Sequence, residues 1–179
     1  MDLSKLETLF AEAQKLSGHS EFVVVGSLSI LGVVQRGRVP PRMLMSIDVD
    51  CYTRKDPQRI FELNQALGKG SAFEAANGYF LDPVSPGLPT LPENWDARLI
   101  RVPLKHGIKA FFLDPNDAAV SKYARGEPRD REWIRAGITA GLLSVPIIAS
   151  RLRDTMFLDD EEQQAALSAF AEDKAGYPG

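Results

Sequence analysis

Leu3, Leu6, Leu9, Phe10, Ala13 and Leu16 recur at steps of three and four, which predicts an amphipathic helix over residues 3–17, closed by Ser17-Gly18. Glu21 to Val25 is an almost unbroken apolar and β-branched run, the pattern of a short central strand. It passes straight into Gly26-Ser27, after which Leu28 to Val34 reads as a short buried helix and Gly37 to Pro41 breaks the pattern. From Leu44 to Thr53 the chain alternates. Met45, Ile47, Val49 and Cys51 point one way, Ser46, Asp48, Asp50 and Tyr52 the other, which predicts a second strand.

Asp56 followed by Pro57 predicts a capped helix through Leu67, ended by Gly68 and Gly70. Tyr79 to Asp82 predicts a third strand, and four prolines between residues 83 and 93 make an extended loop. Ala97 to Leu104 and Ile108 to Leu113 read as two strands joined by a hairpin at Lys105-His106-Gly107. Beyond Asp114 everything reads as helix, with starts at Asp114-Pro115 and near Pro128, Pro146 and Asp159. The layout predicts an α+β fold, with a sheet domain over 1–114 and a helical subdomain over 115–179 packed on it as one compact unit.

Composition narrows the chemistry. The 179 residues are 44% hydrophobic and 25% charged, the proportions of an ordinary globular domain. A net charge of −3 provides no global positive field for nucleic acid, so DNA binding is not expected. One cysteine, Cys51, excludes an internal disulfide, and with two histidines it excludes a Cys/His zinc cluster within one chain. A metal would have to be held by oxygen, which points to Mg2+ or a similar hard ion. No apolar run is long enough for a membrane span, and Met1 to Lys15 carries three acids and lacks the apolar block of a signal peptide. A cytoplasmic location is expected.

Two features carry candidate chemistry. Gly26-Ser27 sits at a strand-to-helix junction, where unpaired N–H groups can meet an anion; an ordinary helix cap would explain it equally well. Asp48-Val49-Asp50 places two carboxylates side by side on one strand face, where they repel unless a cation lies between them; a solvated pair of acids is the plainer alternative. Lys122, Arg125 and Arg129 are spaced by three and four, a cationic strip if one helix continues through them, although Gly126 and Pro128 interrupt it. Asp130 would then bind Arg125 or cap the next helix. His19 and His106 lack a nucleophile pattern nearby, Cys51 faces away from the aspartates, and Trp95 reads as packing. Arg36, Arg38 and Arg42 form a basic cluster that either meets a polyanion or is a solvated loop. The tail at 146–172 carries Ala165, Ala166, Leu167, Ala169 and Phe170, which suit core packing or a partner surface.

Strand, Gly-Ser, helix and a strand bearing Asp-x-Asp together resemble the nucleotidyltransferase superfamily with the DNA polymerase beta fold. The segment Gly107 to Asp130 resembles bacterial nucleotidyltransferase-like proteins related to the toxins of abortive-infection systems. The resemblance spans about residues 20–143. It implies a nucleotidyltransferase-like mixed sheet flanked by helices, with a C-terminal helical subdomain. It further implies Asp48 and Asp50 as ligands of Mg2+ or Mn2+, and a third catalytic carboxylate from Asp82, with Asp96 as the alternative. Gly26, Ser27, Lys122 and Arg125 would hold the triphosphate of an NTP, whose NMP passes to a hydroxyl on a protein or RNA. Such a protein could be the toxin of a toxin–antitoxin pair, with an antitoxin as partner. The alternative from another class is a catalytically degenerate member acting as a binding or regulatory partner.

Overall fold

The computed structural model describes residues 1–36 and 38–177; Gly37, within the predicted break, and the side chain of Arg36 lie outside the described residues. Helix α1 (Leu3–Ser17) is capped by Asp2, which accepts from the Lys5 N–H, and ends at Gly18 in the left-handed region. Its Leu6, Leu9, Phe10 and Ala13 are buried, whereas Leu16, at the end of the apolar stripe, is exposed.

Five strands follow: β1 (Glu21–Val24), β2 (Asp48–Thr53), β3 (Phe80–Pro83), β4 (Ile100–Pro103) and β5 (Lys109–Phe112). They form one mixed sheet in the order β3-β2-β1-β5-β4. β1 runs antiparallel to β2 and parallel to β5, β2 parallel to β3, and β4 antiparallel to β5. The register brings Phe22, Val24, Val49, Cys51, Leu81 and Phe112 to one face, all buried. Phe10 of α1 stacks on Phe22 there, with ring centroids 4.4 Å apart. The other face carries Asp48, Asp50 and Asp82 at the end nearest Gly26.

Several predicted boundaries move. β2 begins at Asp48, not Leu44, because β1 pairs only Cys51 to Thr53 and β3 starts opposite Asp48. Met45 and Ile47 are 64% and 51% exposed, so their alternation is not a core pattern. The buried segment after β1 is a run of 3₁₀ turns, Gly26–Arg36, and the segment opened by Pro57 is 3₁₀ over Pro57–Leu63 before a short helix α2 (Asn64–Leu67). Asp56 makes no side-chain cap there. A further helix, α3 (Ala72–Asn77), is capped by Ser71. Residues 95–98 form a 3₁₀ turn, so β4 begins at Ile100.

The C-terminal helices are α4 (Pro115–Arg125), α5 (Pro128–Thr139), α6 (Val145–Arg153) and α7 (Asp160–Ala175). α4 is the buried hub on which the other three pack. Asp114 caps it by accepting from the Asn116 N–H at 2.9 Å, and Pro115 occupies the first turn, as the sequence predicts. Its polar side chains are tied to the surrounding elements. Asp117 accepts from Arg98 and Arg151, and Tyr123 donates to Asp173 of α7 at 3.1 Å. Ala166 and Phe170 of α7 are buried, while Leu167 is partly exposed. Among the described residues, no helix is long and apolar enough to cross a membrane.

Asp173 clamps α7 to α5 by accepting from Arg131 and Arg135 at 2.7 and 2.8 Å. Burial alone would raise its carboxyl, but these hydrogen bonds outweigh burial and hold it below its ordinary value. Its stabilising contribution is therefore complete above the ordinary carboxylate range and is lost as pH falls through the depressed value. Asp173→Asn should cost about 2 kcal/mol at neutral pH and lower the melting temperature by about 5 °C. Thermal melts across pH should show that gap closing below about pH 4; a gap that persists unchanged in acid would contradict the clamp.

Candidate active site

β1 delivers the chain to a turn that lies against β2. The Val25 N–H donates to the Asp50 carbonyl at 3.0 Å, and Gly26 follows with φ +65°. A Cβ at Gly26 would lie 2.1 Å from Asp50 Oδ2, so both the backbone conformation and the close approach require glycine. The buried Ser29 hydroxyl donates to the Gly26 carbonyl at 2.7 Å and ties the turn from beneath.

Three carboxylates converge beside this turn. Asp50 and Asp82 are directly paired across β2 and β3, and the two-residue strand period puts Asp48 on the same face. One oxygen from each of Asp48, Asp50 and Asp82 lies within 4.8 Å of the others. Burial, reinforced by the charges of Asp48 and Asp82, pushes the Asp50 carboxyl up to about 7. Burial and Asp48 likewise raise Asp82. Among the described residues, Ser46 is the hydrogen-bond donor to the cluster, reaching Asp48 Oδ1 at 2.5 Å. An all-oxygen donor set with spare lone pairs and uncompensated negative charge fits a hard divalent cation, Mg2+ or Mn2+. Asp96 sits exposed in the turn before β4 and is not part of this group.

Cations close the other side. Lys122 of α4 is 3% exposed; its ammonium donates to Asp130 Oδ1 at 2.7 Å and to Ser27 Oγ at 2.9 Å, and lies 5.0 Å from the Trp133 ring centroid. Arg125 grips both oxygens of Asp130, at 2.6 and 2.7 Å, while about half of its side chain stays exposed. Asp130 is 1% exposed and occupies the first turn of α5, where the helix dipole also favours an acid. Burial works to raise its carboxyl, but the hydrogen bonds from Arg125 and Lys122 prevail and lower it. Burial drives Lys122 down against the opposing pull of Asp130. Arg129 lies on α5, beyond the break at Gly126, so one helix does not carry all three basic residues.

Two clefts meet at Asp50 and Arg125. A polar cleft of about 260 Å³ is lined by Ser27, Asp48, Asp50, Arg42, Arg125 and Arg129. Met45 and Ile47, which the alternation placed on one face of β2, lie before it and form part of the cleft wall. The second, about 340 Å³, has apolar walls from Val25, Val84, Leu88 and Ala118, with Lys122 and Gly26 at the shared end.

Gly26, Ser27, Asp48, Asp50, Asp82, Lys122 and Arg125, far apart in sequence, thus surround one place. Of the basic cluster, Arg42 reaches the polar cleft, where it pairs with Glu132. His19 and His106 line neither cleft, Cys51 is buried on the opposite sheet face, and Trp95 packs partly buried against the core. Sequence reasoning missed Ser46 and Trp133 as parts of the site. Ser46 was legible as a same-side neighbour of Asp48, and Trp133 as the residue one helical turn beyond Asp130.

A family model described as a nucleotidyltransferase of unknown function (DUF6036) matches residues 4–175, and the chain belongs to that family. No curated protein and no solved structure matches the chain.

Gly26→Ala combines a left-handed backbone strain with a direct overlap on Asp50, and should cost about 2–3 kcal/mol in thermal or denaturant unfolding. Gly18→Ala is the matched control, since Gly18 has a similar φ but nothing within 4 Å of a new Cβ; it should cost about 1 kcal/mol. Equal losses in the two variants would contradict the packing of Gly26 on Asp50.

Proposed function

We propose that this member of the nucleotidyltransferase family moves an NMP from an NTP to a hydroxyl acceptor on a protein or RNA. The observation that carries the reading is the convergence of Asp48, Asp50 and Asp82 on the Gly26-Ser27 turn, with arginines lining the same cleft. In this reading the triphosphate lies in the polar cleft. Ser27 donates to it, Arg125 and Arg129 neutralise its charge, and Gly26 lets the turn that carries Ser27 pack against Asp50. Lys122 supports this cradle from behind.

Asp48 and Asp50 would hold Mg2+ or Mn2+, which when bound stabilises charge on the phosphates and acidifies the attacking hydroxyl. The acceptor oxygen forms a bond to the α-phosphorus, the bond from that phosphorus to the β-phosphate oxygen breaks, and pyrophosphate leaves. Asp82, beside the pair, takes the hydroxyl proton on a carboxylate oxygen. Its raised pKa, caused by burial and Asp48, suits a base better than an ordinary surface carboxylate does. The single buried thiol of Cys51 suits a cytoplasmic location. A role as the toxin of a toxin–antitoxin pair follows from the family resemblance alone.

Calorimetry with ATP, GTP, CTP and UTP in turn should give saturable binding of at least one NTP that disappears with EDTA. The doubly substituted Asp48→Ala/Asp50→Ala chain should lose at least about 100-fold in that affinity. Silence with all four nucleotides in the presence of Mg2+ would overturn the reading and favour a noncatalytic binding role.

A further inference from the structure

Lys122 holds a peculiar position between the two clefts. The residue lines the apolar cleft, whereas Ser27, which its ammonium contacts, lines the polar one. A phosphate in the polar cleft therefore meets Ser27 first, with the lysine behind it. The ammonium is also heavily engaged, with Asp130 and Ser27 as hydrogen-bond acceptors and the Trp133 ring beside it.

We propose that Lys122 does not grip the nucleotide but is a positioning residue that acts through Ser27, with Asp130 as its anchor. This rests on the nucleotidyltransferase reading and extends it. An ammonium has only donors, so in the 2.9 Å contact Ser27 Oγ must be the acceptor. The serine hydrogen is then the part of that hydroxyl left to point elsewhere, and the polar cleft is the space Ser27 lines. Phosphate oxygens accept and cannot donate, so a serine fixed as donor matches them, whereas a freely rotating one must first be oriented.

Asp130 makes the arrangement durable. Its Oδ1 receives both Lys122 and Arg125, so the carboxylate that fixes the lysine also sets the guanidinium bordering the cleft. With Lys122 and Asp130 both buried, removing the carboxylate would take from the lysine its anionic partner, and Arg125 holds that carboxylate in place from the other side, which makes the pair a rigid support rather than a mobile ligand contact.

A double-mutant cycle separates acting through Ser27 from touching the nucleotide. Binding of the tightest of the four NTPs, as its Mg2+ complex, is measured by calorimetry for the unsubstituted chain, Lys122→Met, Ser27→Ala and the double variant, with melting temperatures taken in parallel. Lys122→Met should weaken binding about tenfold in the unsubstituted background and less than about threefold in the Ser27→Ala background. Ser27→Thr, which keeps the hydroxyl, should preserve the full lysine effect. If Lys122→Met does not fold, Lys122→Gln, which keeps a neutral donor for Ser27, should weaken binding less than about threefold, and a tenfold loss that Ser27→Ala does not reduce would overturn the inference. For Lys122→Met, an equal loss in both backgrounds would place Lys122 on the nucleotide and overturn the inference, as would no loss at all. If the unsubstituted chain binds none of the four NTPs, the nucleotidyltransferase reading itself fails, and this inference fails with it.

Discussion

Carboxylates that share a few ångströms of one sheet face repel, and a protein can hold them there only if its backbone leaves them no escape. Asp48, Asp50 and Asp82 are fixed by strand pairing, and Asp50 is further pinned by the Gly26 turn packed against its carboxyl. Burial and mutual repulsion raise Asp50 to about 7, so as a full anion it is poorly stabilised by the protein alone. Repulsion of this kind is relieved by a cation. The sheet supplies rigidity, the turn supplies proximity, and the donor atoms of the three side chains are all oxygen.

The opposite wall answers with positive charge that is itself restrained. Asp130 binds Lys122 and Arg125, so the C-terminal helices present cations to the cleft in fixed places. α4 carries both cations and is also the hub of the helical packing, locked by Arg98 and Arg151 on Asp117 and by Tyr123 on Asp173. Fold stability and site geometry therefore depend on the same helix. A change that loosens α4 would disturb the cleft without touching an atom that lines it.

Legibility in the sequence followed locality. Asp48 and Asp50 share a face through strand periodicity alone, and the Gly-Ser turn is marked by the apolar run before it. Asp82 needed the parallel pairing of β2 with β3, which no local pattern encodes, and for that reason Asp96 stayed open as its rival. Met45 and Ile47 alternate like strand residues but precede the paired stretch, which starts at Asp48, because hydrophobic alternation records composition and not pairing. α3 escaped notice because none of its residues is buried, leaving no apolar stripe to read. The contacts of Lys122 with Ser27 and Trp133 arise from helix placement and appear only in three dimensions.

The central claim is that these three aspartates form one cation site, and crystals soaked in Mn2+ test it most directly. The account predicts an anomalous scattering peak bonded to oxygens of Asp48 and Asp50 and adjacent to Asp82, at the mouth of the Gly26 turn. No peak there at millimolar Mn2+, with or without an NTP, would contradict it.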